Sequence, residues 1–123
     1  MTRAESRPPS TRKVLFITSE PRHRVLYEKG LRSHFQVEFS ASAETQSGDE
    51  DAIVYDIPKR HSAGDIRWLR SASKPVVVLT PEDELPLPKA TNRCVLTYPV
   101  SMDHIMQALA DLGVRSSGEG ETR

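Results

Sequence analysis

One carboxylate in this chain stands where chemistry could be done: Asp56, which closes the apolar run Ile53-Val54-Tyr55. Three other apolar runs end in hydroxyl-bearing residues. They close at Thr18-Ser19 (with Glu20 next), at Thr80, and at Thr97-Tyr98 (with Pro99 next). If these runs are parallel strands of one open α/β sheet, their ends face a common crevice, the usual ligand site of such sheets. The candidate pocket is therefore Thr18, Ser19, Glu20, Thr80, Tyr98 and Pro99 around Asp56. The favoured structural role for Asp56 is to cap the following loop through backbone N–H groups. A two-acid metal site shared with Glu20 is the less favoured alternative. Tyr98 either lids the pocket or packs on the surface, and packing is the favoured reading.

Other reactive residue types carry less. Cys94 lies within the apolar run Arg93–Thr97 and reads as a buried, inert thiol. His23, His34, His61 and His104 have no metal-ligand spacing and are expected on surfaces. The Asp49-Glu50-Asp51 cluster reads as a solvated loop, with Asp51 starting a strand. The segment after the first run, TSEPRHR, has no glycine, so it is no phosphate-cradling loop. No nucleophile–histidine–acid set is legible, and the chain is expected not to be an enzyme.

The elements that must position these groups follow from hydrophobic pattern. Lys13–Thr18, Asp51–Ile57, Pro75–Thr80 and Arg93–Thr97 are rich in Val, Ile and Leu without polar alternation. That pattern belongs to strands buried on both faces of a helix-covered parallel sheet. Phe35–Phe39 alternates, with Phe35, Val37 and Phe39 on one side, and reads as an edge strand. Helices are expected at His23–His34, with Val25, Leu26 and Leu31 inward and Tyr27 a further candidate, and Gly30 a weak point. Two more are expected at Ala63–Ala72, with Ile66, Leu69 and Trp68 inward, and at Met102–Leu112, with Ile105, Met106, Leu109 and Leu112 inward. Ser101 is the expected N-cap of the last, and Gly113 its C′ residue. Strand–helix alternation of this kind predicts an α/β sandwich with right-handed crossovers. The connections at 40–50 and 82–92 lack apolar residues or carry Pro86 and Pro88, so the second and fourth helices are short or missing.

Length and charge bound the rest. With 123 residues, the chain allows one domain. Residues 1–12 and 114–123 read as disordered tails, the first basic, around a domain at 13–113. Seventeen Lys and Arg balance seventeen Asp and Glu, which disfavours nucleic acid as partner; the short basic tail has no aromatic residue for stacking. No apolar run is long enough to span a membrane, and the N-terminus lacks a signal-peptide core, so a cytoplasmic location is expected. One cysteine excludes an intramolecular disulfide and any multi-cysteine metal site.

In this order and spacing, VLFITSEP, DAIVYDIP, PVVVLTP and VLTYPV resemble the first, third, fourth and fifth strands of the response-regulator receiver domain. The helix SMDHIMQALADL is similar to that family's last helix. The resemblance covers roughly 13–113. It implies a flavodoxin-like (βα)5 domain with strand order 2-1-3-4-5, Asp56 at the phospho-acceptor position and Thr80 at the hydroxyl switch. It also implies a setting in bacterial two-component signal transduction. The departures are equally specific. Thr18 and Ser19 stand where the family has two Mg²⁺-holding acids, Tyr98 where it has Lys, and Val95 where it has the switch aromatic. Hydroxyls without carboxylate charge are weak Mg²⁺ ligands, and a phenol forms no ion pair with a phosphoryl group. Losing both cations should remove several kcal/mol of transition-state stabilisation.

The expectation is thus a pseudo-receiver, with Mg²⁺ binding lost, no cofactor and no metal. It would act by phosphorylation-independent contact with another signalling protein or with itself. By resemblance, the partner face would draw on Leu85, Leu87, Val100, His104, Met106 and Gln107. Two alternatives stay open: a phospho-receiver with atypical chemistry at Asp56, and a small-molecule-binding module using the neutralised pocket.

Overall fold

Unbroken runs of Val, Ile and Leu build the middle of the sheet, because only a strand covered on both sides can bury side chains of both parities. The computed structural model describes residues 12–41, 50–57, 63–81 and 90–114. In chain order these form β1 (Lys13–Thr18), α1 (Pro21–Arg32), β2 (Gln36–Ser40), β3 (Ala52–Asp56), α2 (Ala63–Ser71), β4 (Val76–Thr80), β5 (Arg93–Thr97) and α3 (Met102–Asp111). The five strands are all parallel in the order β2-β1-β3-β4-β5, a flavodoxin-like arrangement.

Alternation along the central strands splits the core in two. Val14, Phe16, Ala52, Val54, Val77 and Leu79 point to one face and pack with Tyr27 and Leu31 of α1 and Ile105, Ala108 and Leu109 of α3. Leu15, Ile17, Ile53, Tyr55, Val76 and Val78 point to the other and meet Leu69 of α2, with Ile66 and Trp68 against them. The phenol of Tyr55 donates to Oδ1 of Asp65 at 2.5 Å, tying β3 to the first turn of α2.

Several expectations are corrected here. Helix α1 begins at Pro21, not His23, because proline suits the first helical position, where no N–H is needed. Val25 and Leu26 do not face the core: they are 74% and 64% exposed, and Tyr27 and Leu31 fill the buried stripe instead. Strand β5 is not buried on both faces. As an edge strand, it turns Cys94 and Leu96 to the core and leaves Val95 41% exposed. Glu50 is not solvated but buried, with its Oε2 3.4 Å from Nζ of Lys74, and Oδ2 of Asp51 accepts the Lys13 backbone N–H at 2.8 Å. Val114 belongs to the core, not to a tail.

The caps of α3 follow the expectation. Ser101 accepts from the His104 N–H while the His104 ring accepts the Ser101 N–H, a reciprocal capping box. Gly113, at φ +91°, and Val114 close the helix onto the carbonyls of Ala110 and Leu109, a Schellman motif. The expected tails and the two helix-poor connections fall largely outside the described residues, as do Leu85, Leu87 and His61. Among the described residues no helix is long and apolar enough to cross a membrane.

Candidate functional site

The chain leaves β1 for β2 on one side and returns to β3 on the other, so β1 and β3 part at a topological switch point, where open sheets hold their ligands. Register places Thr18 and Asp56 side by side there. The Asp56 side chain is only 4% exposed. A carboxylate removed from water in this way costs several kcal/mol unless hydrogen bonds replace its hydration.

Three side chains supply them. Thr18 Oγ1 donates to Oδ2 at 2.7 Å, and the Tyr98 phenol donates to Oδ1 at 2.7 Å. His23 Nδ1 lies 2.5 Å from Oδ2. An ionised carboxylate only accepts, so the His23 proton at this contact sits on Nδ1. Charge-assisted bonds of this kind contribute about 1.5–3 kcal/mol each. The Glu20 N–H in turn donates to Thr18 Oγ1 at 3.0 Å, which orients the hydroxyl proton toward Asp56.

Each donor is aimed by its own element. His23 lies in the first turn of α1, directly after β1. Tyr98 extends the β4–β5 ladder by one residue, its N–H donating to the Thr80 carbonyl at 2.8 Å, and its peptide bond to Pro99 is cis. The rings of His23 and Tyr98 lie with centroids 5.0 Å apart, which holds both over Asp56. Burial, then the bond to and charge of Asp56, push the Tyr98 phenol well above its ordinary value. Tyr27 donates to the Val100 carbonyl at 2.7 Å, and burial, then Asp56, raise it as well.

Above this cluster opens a cleft of about 690 Å³ lined by Ser19, Glu20, His23, Asp56, Ile57, Pro81, Tyr98 and Pro99. No Lys or Arg is among those residues. Of the expected pocket, Ser19, Glu20, Tyr98 and Pro99 line the cleft, whereas Thr18 and Thr80 are buried and outside its wall. Among the described residues Asp56 is held by side chains, and the loop it is expected to cap lies, after Ile57, outside them. Tyr98 does not pack on the surface: its hydroxyl is committed to the carboxylate.

His23 is the residue the sequence reading misplaced. Starting the helix at Pro21 would have found it, because that puts His23 in the first turn, over the carboxyl end of β1. Of the other histidines, His104 caps α3 and His34 stacks at 6.4 Å against Phe35. Cys94 is half-buried, and burial, then Asp111, raise its thiol. The expected partner face is divided. Val100 is buried and Met106 packs on the core, while His104 and Gln107 are exposed, the latter bonded to Asp111 at 2.9 Å. Comparison with protein-family models, curated proteins and solved structures finds no match for this chain.

Proposed function

We propose that this protein is a degenerate receiver-like signalling module that acts by binding another protein, without phosphorylation and without catalysis. The observation that carries the reading is the occupancy of the Asp56 carboxylate by Thr18, His23 and Tyr98. A carboxylate that attacks phosphorus needs a free lone pair in line and a cation beside it to offset the negative charges. Here Oδ2 accepts from Thr18 and His23 and Oδ1 from Tyr98, and Tyr98 stands at the position where the receiver resemblance expects Lys. The donor set around Asp56 does not suit Mg²⁺, which demands oxygen ligands in near-octahedral geometry and dehydrates reluctantly. Thr18 offers a hydroxyl already spent on Asp56.

Incubation with a small acyl phosphate and Mg²⁺, followed by intact mass, tests this. No phosphate adduct is expected. An adduct abolished by Asp56→Asn would replace the proposal with an atypical phospho-receiver.

A second reading rests on the cleft itself. Its apolar wall of Ile57, Pro81 and Pro99, with the His23 and Tyr98 rings, has the mixed lining of a small-molecule site. A metabolite that raises Tm in the wild type and not in His23→Ala would favour it.

A further inference from the structure

The outward face of α1 carries an excess of cations around exposed apolar side chains. Arg22 and Arg24 stand in its first turn, behind the N-cap Glu20, although the helix dipole favours negative charge there; Lys29 and Arg32 stand in its last turn, where cations are favoured. Across its 12 residues, Arg22, Arg24, Lys29 and Arg32 face a single acid, Glu28. Glu28 pairs with Arg32 at 3.0 Å, and the Arg24 guanidinium lies 4.5 Å over the Phe39 ring. Arg22 and Lys29 have no ion-pair partner among the described residues. Between them, at helical spacing i, i+3, i+4 and i+7, sit Val25 and Leu26, the two most exposed large apolar residues described. Arg22 is wrong-signed for the first turn and Val25 and Leu26 are exposed, whereas Lys29 sits in the last turn, where the dipole favours a cation. Together they form one stripe: cation, two apolar side chains, cation.

We infer that this stripe docks an acidic amphipathic segment of a partner protein, its apolar side chains on Val25 and Leu26 and its carboxylates against Arg22 and Lys29. The inference rests on the protein-binding reading above and names the surface and the partner's chemistry. Charge complementarity selects an acidic partner. The stripe, from Arg22 to Lys29, is about 11 Å long. It has no aromatic residue and only two apolar side chains, too little to anchor in a bilayer interface, which needs a larger apolar face. Nucleic acid would want a stacking ring, and the stripe has none.

The test is titration of the full ¹⁵N-labelled chain with a synthetic peptide that repeats Leu and Glu at helical spacing. Parallel titrations use its Glu→Lys counterpart and phosphatidylserine vesicles. Expected are amide shifts concentrated on Arg22–Ser33 with the acidic peptide alone, weakened by added salt. Arg22→Glu with Lys29→Glu should weaken binding roughly tenfold, and Val25→Ser with Leu26→Ser should abolish it at unchanged Tm. Absence of shifts on α1, equal binding of the Lys peptide, or response to vesicles alone would overturn the docking surface. None of those results bears on Asp56. Conversely, a phosphate adduct on Asp56 would overturn the phosphorylation-independent reading and leave this titration as it stands.

Discussion

Tyr98 and Asp56, 42 residues apart in the chain, are joined by a 2.7 Å hydrogen bond that engages one oxygen of a nearly unexposed carboxylate. The bond ties the end of β5 to the end of β3 across β4, and it leaves Thr18 and His23 to serve the other oxygen. The cluster thus locks the ends of β1, β3 and β5 and the start of α1 around one carboxylate.

Tyr98→Phe removes that donor and keeps the ring. It should destabilise the protein by about 1–3 kcal/mol, the cost of under-satisfying a buried carboxylate. A lower urea midpoint at unchanged m-value checks it. The same variant frees Oδ1 but adds no cation, so it should still take no phosphate from an acyl phosphate with Mg²⁺.

All three tyrosines of the chain, Tyr27, Tyr55 and Tyr98, have phenols raised above their ordinary value of 10.0, chiefly by burial. A folded value raised above the unfolded one gives stability that is complete below about pH 10 and lost as pH climbs above it. Ultraviolet titration should therefore show the Tyr55 and Tyr98 phenols un-ionised in the native protein near pH 10. Ionisation of these two should come with alkaline unfolding; native titration of either at its ordinary value would contradict this.

Glu50 is almost wholly buried, and Lys74 is its ion-pair partner at 3.4 Å. Lys74→Met removes this ion pair from a carboxylate that stays buried. Because Lys74 is itself 30% exposed, the expected loss is about 1–3 kcal/mol, below that of a fully buried pair. A lower urea midpoint for this variant would show it.

Gly113 holds φ at +91° where the Schellman motif needs a left-handed residue. A Cβ there meets nothing within 4 Å, so Gly113→Ala isolates backbone strain from steric clash. The expected cost is about 1 kcal/mol, read as a fall in Tm.

Buried strands were legible because a doubly covered strand must be apolar at every position, a pattern visible in VLFI, IVY and VVVL without any partner. The α3 caps were legible because capping is local chemistry within a few residues. The sequence by itself determined the strands, the layer architecture and the gathering of Asp56 with the ends of β1, β4 and β5. Which side chains hold Asp56 was decided only in three dimensions. Thr18 and Asp56 are 38 residues apart, His23 and Asp56 33, and Tyr98 and Asp56 42, so no local pattern links them. The same holds for α1. Its apolar residues surround the helix, and only the packing of Tyr27 and Leu31 onto Phe16 and the sheet decides that Val25 and Leu26 point outward. Local chemistry sets elements and caps; long-range register sets which polar groups meet in a buried place, where each unpaired one would be costly.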